Sequence, residues 1–187
     1  MDALEALQTR VSVAVLGEPG PDQQQLRQLL QAAIRAPDHG LLRPWRFVVL
    51  RGEQRTRLGE LLCQARRAVQ PDVSQDDLDK LAAKPFRAPV IVAAVAEVDP
   101  HNRVPVLEQV VATGAAVQNL MVAAHALGVG AMWRTGSLAN HPLVKRGLGF
   151  DDKDEVVAFV YLGAPSGSIK RVPDEAPEAF IRPLPDA

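Results

Sequence analysis

The sequence predicts a single domain of the α+β class. Its 187 residues are enough for one domain with a substantial core, and 47% of them are apolar, as in ordinary globular proteins. Helical patterns come first along the chain, and strands are then mixed with further helices, which is the order typical of α+β proteins. No internal repeat, linker or low-complexity block interrupts the chain, so we expect residues 1–187 to form one domain.

Two helices are predicted in the N-terminal part of the chain. Asp2 and Glu5 have the spacing of a capping box, and the helix that they begin is expected to end near Arg10. Asp22 has the position of an N-cap for a second helix, which extends to about Arg35. Both patterns place leucines along one side, so each helix is expected to pack that side on the core.

The following segments alternate between helical and strand patterns. Further helices are predicted over residues 53–69, 74–84, 106–127 and 141–147. Short apolar runs, several of them rich in β-branched residues, predict strands over residues 47–50, 88–96, 128–133 and 156–162. We therefore expect a central sheet with helices packed around it.

The helix predicted over residues 106–127 is apolar nearly all round its circumference. A helix with this composition is expected to be buried on most of its faces. One small domain offers too little surface to cover all of them. A homodimer with this helix near the interface would complete its burial.

The C-terminal segment, residues 165–187, contains five of the 15 prolines of the chain. Proline at this density prevents a continuous helix. We therefore expect an extended arm, and an arm of this length usually lies against another surface, for which a partner subunit is a candidate.

Charge and composition argue against several classes of protein. A formal net charge of −1 gives no indication of nucleic-acid binding or of a polybasic membrane-binding patch. The longest apolar run, residues 88–96, is too short to span a bilayer, and the N-terminal residues do not resemble a signal peptide. Cys63 is the only cysteine, so no internal disulfide can form, which fits a reducing compartment. We expect a soluble, cytoplasmic protein.

Common catalytic, metal-binding and nucleotide-binding motifs are missing from the sequence. There is no G-x-S-x-G nucleophile motif, and the four histidines are scattered without metal-ligand spacing. The segment "GVGAMW" contains G-x-G but lacks the third glycine and follows a helix, so it does not fit a dinucleotide-binding loop. The sequence therefore favours neither a serine hydrolase nor a metalloenzyme, and we expect no metal site.

Four short clusters remain as candidates for a binding site. Each combines cations with hydroxyl, imidazole or indole groups: Arg10 with Ser12, Arg35 with His39, Trp133 to Gly136, and Lys170 with Arg171. Such donors suit a planar, phosphate-bearing ligand. Each cluster alone is equally compatible with an ordinary role, as a helix end, a turn, a core indole or a solvated charge pair.

Five stretches together resemble one family. In chain order they are "MDALEALQTRVS", "RAPDHGLLRPWRFVV", "PFRAPVIV", "GVGAMWRTG" and "VYLGAP". They are similar to the small bacterial members of the NAD(P)H-dependent nitroreductase family, which are FMN-binding homodimers. The resemblance implies a nitroreductase-like α+β fold, with a central mixed or antiparallel sheet flanked by helices, an intertwined homodimer, and FMN bound at the dimer interface.

The resemblance also implies roles for individual residues. Three residues of one subunit would contact the FMN phosphate and ribityl chain: Arg10, Val11 (through its backbone only) and Ser12. Arg35 and His39 would reach the same FMN from the other subunit, because Pro37 ends their helix. The residues expected beside the flavin ring are Trp133, Arg134, Thr135 and Gly136. Cations placed to bind the phosphate would be Lys170 and Arg171. The resemblance implies no catalytic side chain.

The chain departs from the family pattern at several positions near these residues. Val11, Ala14 and Val15 are apolar where family members commonly carry polar or basic residues, and Gly40 replaces a longer side chain. A cation near the flavin pyrimidine would stabilise negative charge on the reduced ring. In this chain Arg134 or backbone N–H groups would have to do so.

The implied reaction is a ping-pong transfer of hydride from NADH or NADPH, through FMN, to a small-molecule acceptor such as a nitroaromatic compound or a quinone. Other functions stay open. The apolar segment "VSVAV" also suits a flavin-binding or flavin-sequestering protein without turnover. A flavin-dependent dehydrogenase or a dehalogenase-like reductase would keep the cofactor and change the substrate. A dimeric helical interaction module would need no cofactor.

Overall fold

A computed structural model describes residues 1–184 of the chain. The helices are α1 (Ala3–Thr9), α2 (Gln23–Ala33), α3 (Glu53–Val69), α4 (Gln75–Ala82), α5 (Val106–Ala126) and α6 (Pro142–Gly147). The strands are β1 (Leu16–Gly17), β2 (Trp45–Arg51), β3 (Val90–Ala96), β4 (Gly130–Arg134) and β5 (Glu155–Pro165). Short 3-10 helices lie at His39–Leu41, Lys84–Arg87 and Pro177–Phe180.

The sheet is antiparallel at every strand pair. Its central order is β2-β3-β5-β4, and β1 pairs with the C-terminal end of β5. Of the two sheet types that the family resemblance implied, mixed or antiparallel, the structure has the antiparallel one. The two-residue strand β1 was not predicted, because a segment that short carries no periodic pattern.

Strand β3 is buried on both faces of the sheet. Val90, Val92 and Ala94 belong to the core cluster that α2 and α5 cover, while Ile91 and Ala93 belong to the cluster under α3, α4 and α6. Successive side chains point to opposite faces of a strand, so a strand covered on both sides reads as one continuous apolar run. This explains the sequence "VIVAAVA" and confirms a sheet flanked by helices.

Polar caps set the start of the first two helices. The Asp2 carboxylate accepts a hydrogen bond from the Glu5 N–H at 2.9 Å, and Asp22 and Gln25 form a complete capping box. The second helix ends at Ala33, two residues before the predicted end. Arg35 therefore lies in the turn after α2.

Helix α5 is buried on one side only. Its buried residues recur every three or four positions and pack on the sheet and α2, but Leu107 is 72% exposed and Val111 is 61% exposed. No element among residues 1–184 covers the side that carries these two residues, so one domain leaves the helix partly uncovered, as predicted, and its burial by a partner subunit stays a prediction. By length and composition α5 would also pass as a membrane span, although its position on the sheet is that of a core helix.

The residues after β5 form no α-helix or strand within the described range. Residues 166–184 are exposed, and their large apolar side chains are Ile169, Val172, Phe180, Ile181 and Leu184. The one regular element of this segment among the described residues is the 3-10 helix at Pro177–Phe180. Residues 185–187, the last part of the predicted arm, lie outside the described residues.

Candidate functional site

Arg10 lies at the C-terminal end of α1 and borders a pocket of about 260 Å³. Lys170, from the segment after β5, and His125, from the last turn of α5, border the same pocket. The Nη1 atom of Arg10 is buried and has no hydrogen-bond partner among residues 1–184. An unpaired buried donor is unfavourable, so a ligand or water that accepted a hydrogen bond from this nitrogen would stabilise the arrangement.

The residues after Arg10 follow the edge of β4. The Val13 N–H donates to the Ala131 carbonyl oxygen at 2.9 Å, which holds this segment beside the start of the strand. Val11 borders the Arg10 pocket, and Ser12 is half-buried between Val11 and Val13. Three of the residues predicted to contact the phosphate, Arg10, Val11 and Lys170, thus border the same pocket of a single chain.

Arg171 is exposed and does not border this pocket, although it follows Lys170 directly. It lies in the segment after β5, whose residues are exposed from position 166 to position 184. Its predicted phosphate contact therefore has no counterpart within the single chain.

His125 was missed by the sequence analysis. Its Nε2 lies 2.9 Å from the hydroxyl oxygen of Thr9, and that hydroxyl donates its hydrogen to the Glu5 carbonyl oxygen at 2.6 Å. The Thr9 oxygen is then an acceptor, so Nε2 of His125 carries the proton that it donates. Thr9 and His125 are 116 positions apart, and no local motif could have indicated the contact.

The segment from Trp133 to Gly136 is divided between the two faces of the sheet. The Trp133 Nε1–H and the Thr135 hydroxyl both donate to the Val157 carbonyl oxygen, at 3.2 and 3.3 Å. The indole is about one-third exposed and approaches Gly114 of α5. Thr135 and Gly136 are exposed, so their backbone is accessible to a ligand.

Arg134 points to the opposite face, into a second pocket of about 250 Å³ that Thr135 and Gly136 also border. Its guanidinium carbon lies 5.7 Å from the centre of the Tyr161 ring, and its Nε atom is buried without a partner among the described residues. Burial raises the pKa of the Tyr161 hydroxyl, and the charges of Arg134 and Arg87 partly oppose that rise. Arg134 and Arg87 border this pocket together with Tyr161.

Arg35 and His39 border neither pocket of their own chain. Arg35 is exposed after the end of α2. His39 lies in the 3-10 helix that follows, and its Nδ1 is 2.7 Å from the Glu108 carboxylate in the first turn of α5. The structure thus does not bring these two residues to Arg10 within one chain, and their contact across a dimer interface stays a prediction.

The loop that carries His39 has an unusual backbone. Gly40, Leu41 and Arg43 have φ values of 74°, 54° and 48°, a region that residues other than glycine rarely adopt. The Asp38 carboxylate accepts a hydrogen bond from the Arg43 N–H at 2.7 Å and helps to hold the turn. The positive φ gives a structural reason for glycine at position 40.

Trp45 begins β2 immediately after this loop. It is buried in the core cluster that α2 and α5 cover. This burial anchors the start of the strand in the core. Among residues 1–184, no group of three or more potential metal-ligating side chains comes together.

Comparison with known proteins gives consistent matches over most of the chain. A protein-family model described as the nitroreductase family matches residues 9–164. The Escherichia coli (strain K12) protein named "Putative NAD(P)H nitroreductase YdjA" is 42% identical over 181 residues, which is 95% of this chain and 97% of that protein.

Solved structures share the fold. A nitroreductase-like family protein from Bacillus cereus superposes with a TM-score of 0.83 at 21% identity, covering 98% of this chain and 96% of that one. A Desulfovibrio desulfuricans structure described as "a putative nitroreductase in complex with FMN" superposes with a TM-score of 0.71 at 25% identity, covering 100% of this chain and 99% of that one.

Proposed function

This chain belongs to the nitroreductase family, and from that premise we propose that it is an FMN-dependent oxidoreductase that uses NADH or NADPH to reduce a small-molecule acceptor. NAD(P)H occurs in the name of the E. coli relative, and FMN is bound in the D. desulfuricans structure. The observation within this chain that carries the proposal is that Arg10 and Lys170 border one pocket and that Nη1 of Arg10 is buried without a partner among residues 1–184.

The residues around Arg10 fit a cofactor phosphate. A guanidinium and an ammonium group at one pocket provide charge-assisted donors for phosphate oxygens. Ser12 would add a hydroxyl and Val11 its backbone, and Arg171 adds a cation next to Lys170 along the chain. This set would hold the phosphate and ribityl chain of FMN.

The end of β4 fits the flavin ring. Trp133 presents a partly exposed indole, and Thr135 and Gly136 have an accessible backbone beside it. Ala14 and Val15 are exposed and apolar, so they supply no cation there. Arg134 borders the same pocket as Thr135 and Gly136, and we assign to it the stabilisation of negative charge at that end of the site.

Bound FMN would supply the hydride chemistry, and the protein would supply position, charge and exclusion of water. The electron donor and the acceptor would bind one after the other at the same site beside the flavin, in a ping-pong order. The acceptor would be a nitroaromatic compound or a quinone. No side chain of this chain is needed as a general acid or base. The flavin-dependent dehydrogenase and the dehalogenase-like reductase remain alternatives with the same cofactor and a different substrate.

We further propose a cytoplasmic homodimer with an intertwined C-terminal arm. The single chain exposes Leu107 and Val111 on α5 and Leu4 and Leu7 on α1. Exposed apolar residues on packed helices are typical of subunit interfaces. A partner covering this surface would also bring its own Arg35 and His39 towards the flavin site. The exposed apolar side chains after residue 165 would then lie on the partner.

The experiment is an absorption spectrum of the purified protein with and without added FMN, followed by anaerobic mixing with NADH and with NADPH. We expect a bound flavin spectrum that either donor bleaches and that a nitroaromatic or quinone restores. A yellow protein that neither donor bleaches would refute the reductase and favour a flavin-sequestering protein. A colourless protein whose melting temperature FMN does not raise would favour a cofactor-free module. Bleaching without re-oxidation by those acceptors would direct a substrate screen towards the dehydrogenase or dehalogenase-like alternatives.

A further inference from the structure

A second group of cations lies on the face of the sheet under α3 and α4. The pocket of about 250 Å³ at Arg134 adjoins a wider one of about 550 Å³, and both are bordered by Arg66, Lys84 and Arg87. These residues come from α3 and from the 3-10 helix before β3. We call the two pockets together the cationic cleft. It begins at Thr135, expected beside the flavin ring, and extends outward to α4.

The charges of the cationic cleft are not neutralised within the described chain. None of Arg66, Lys84, Arg87 and Arg134 lies within ion-pair distance of a carboxylate among residues 1–184. The one acidic residue that borders the cleft is Asp77, whose carboxylate accepts a hydrogen bond from the Ser74 hydroxyl at 2.8 Å. A cleft with cations on its walls and low-dielectric protein behind them attracts anions.

The inner end of the cleft contains a buried donor without a partner. The Nε of Arg134 is buried and makes no hydrogen bond to residues 1–184, and its guanidinium faces Tyr161. Ser137 borders the same pocket as Arg134. The cleft thus offers guanidinium groups, an ammonium group and a hydroxyl, which is the donor set that binds phosphate and carboxylate in proteins.

We propose that the cationic cleft binds the anionic group of a reactant that exchanges hydride with the flavin. This inference rests on the proposed function, because it takes the segment at Thr135 as the flavin side of the cleft. The anionic group is either the 2′-phosphate of NADPH or a carboxylate on the acceptor. In the first case the enzyme prefers NADPH to NADH, and in the second it prefers an acidic acceptor to a neutral one of the same shape.

The test compares the double variant Lys84→Ala/Arg87→Ala with the control Lys153→Ala/Arg67→Ala. Both double variants lose one lysine and one arginine charge, and Lys153 and Arg67 are exposed and border neither pocket. Calorimetry on the oxidised, FMN-loaded protein measures binding of 2′,5′-ADP and of 4-nitrobenzoate. Steady-state kinetics compare NADPH with NADH, and 4-nitrobenzoate with 4-nitrobenzyl alcohol.

We expect the cleft variant to bind one of the two anionic probes about tenfold more weakly, as for the loss of charge-assisted hydrogen bonds at a partly screened site. The KM of the matching reactant should rise by a similar factor, with kcat and FMN affinity unchanged. The control should match the wild type. Loss of 2′,5′-ADP binding identifies the donor as the source of the anion, and loss of 4-nitrobenzoate binding identifies the acceptor.

Two results would overturn the proposal. One is a change of less than about twofold for both probes. The other is weaker FMN binding in the cleft variant with unchanged binding of both probes, since it would assign these cations to the cofactor. Probe binding to protein without FMN is measured in parallel. If the wild type does not bind FMN but the cleft variant still loses 2′,5′-ADP, the proposed function fails while the anion site stands.

Discussion

Arg10 contributes a buried guanidinium nitrogen for which residues 1–184 provide no acceptor. Such a group destabilises the protein unless water or a ligand satisfies it. Arg10, Val11 and Lys170 were predicted to meet at one ligand, and the structure places all three at one pocket. Their short motifs could be predicted from the sequence because the family pattern fixes both residue type and position.

Replacing Arg10 by alanine should weaken FMN binding roughly ten- to a hundredfold, because the change removes charge-assisted hydrogen bonds worth about 1.5–3 kcal/mol. Fluorescence titration of the flavin measures the affinity. Arg67→Ala is the matched control, since Arg67 is exposed on α3 and borders neither pocket. Arg35→Ala should lower the affinity similarly if that residue reaches the flavin from a partner. Equal affinity in wild type, Arg10→Ala and Arg35→Ala would contradict both assignments.

Tyr161 is the only tyrosine, so its ionisation can be followed directly by phenolate absorbance. Burial raises its pKa above the ordinary value of about 10, and Arg134 and Arg87 oppose that rise. The folded state holds the phenolic proton more tightly than the unfolded state. The associated stability is therefore fully present below pH about 10 and lost as pH rises through the folded pKa.

Arg134→Gln should raise the pKa of Tyr161 further, because it removes the cation that faces the ring. The measurement is the same spectrophotometric titration. Arg67→Gln is the control, and it should leave the pKa of Tyr161 unchanged. A lower pKa of Tyr161 in Arg134→Gln than in the wild type would show that the Arg134 guanidinium does not stabilise the phenolate.

Other residues of the two pockets could not be predicted from the sequence. His125 lies in α5, and Lys84 and Arg87 lie in one 3-10 helix. Only the packing of α1 on α5 and of α3 on the sheet brings these residues to their pockets. Arg87 lies within the stretch "PFRAPVIV" that supported the family resemblance, and Lys84 directly precedes it, yet nothing local showed that they would border the same pocket as Arg134.

The connection between α6 and β5 depends on buried polar groups. Asp154 is 2% exposed, and its carboxylate accepts hydrogen bonds from the Val98 and Asp151 N–H groups at 3.0 and 2.9 Å. Lys145, also buried, donates to the Asp152 and Asp154 carbonyl oxygens at 2.6 and 2.8 Å. These bonds join the end of β3 to the start of β5. The sequence "DDKDE" resembles an ordinary solvated acidic turn, so it did not predict them.

Asp154→Ala should destabilise the fold by about 2–4 kcal/mol, because it leaves two N–H groups without their acceptors in a buried position. Urea denaturation followed by circular dichroism measures the change. Asp152→Ala is the control: it removes an exposed ion pair with Arg146 and should change stability by less than about 1 kcal/mol. Equal stability losses in the two variants would mean that burial of Asp154 does not decide its contribution.

Elements with a long and regular apolar pattern could be predicted from the sequence, whereas elements that depend on tertiary contacts could not. The apolar composition of β3 was enough to predict this strand. Strand β1, in contrast, forms only because its two residues pair with the end of β5. The apolar surface of α5 was predicted, but the element that covers its second side was not, because no part of residues 1–184 supplies it.

Within residues 1–184, helices cover both faces of the sheet, and α5 keeps an uncovered apolar side. The family resemblance read from five short stretches is confirmed by the match over residues 9–164. Helices α3, α4 and α6 cover one face of the sheet, and α2 and α5 cover the other. The outer side of α5 then carries Leu107 and Val111 in contact with solvent. We expect a second copy of the chain to bury this surface.

Val111→Arg should convert the dimer to a monomer at micromolar concentration, because it places a charge in an apolar interface without a partner. Light scattering measures the mass, circular dichroism checks that the fold is retained, and FMN affinity should fall together with dimerisation. Val69→Arg is the control, since Val69 is similarly exposed at the end of α3. A wild-type protein that is already monomeric, or a Val111→Arg variant that stays dimeric, would refute this interface.

The position of β5 has a consequence for biosynthesis. This strand pairs with β1, β3 and β4, yet it is the last strand among residues 1–184. On a translating ribosome β3 and β4 therefore emerge before the strand that separates them, and their edges stay open to other nascent chains during that interval. A message truncated before codon 155 would yield a polypeptide that contains most of the core residues and has no means of closing the sheet around them.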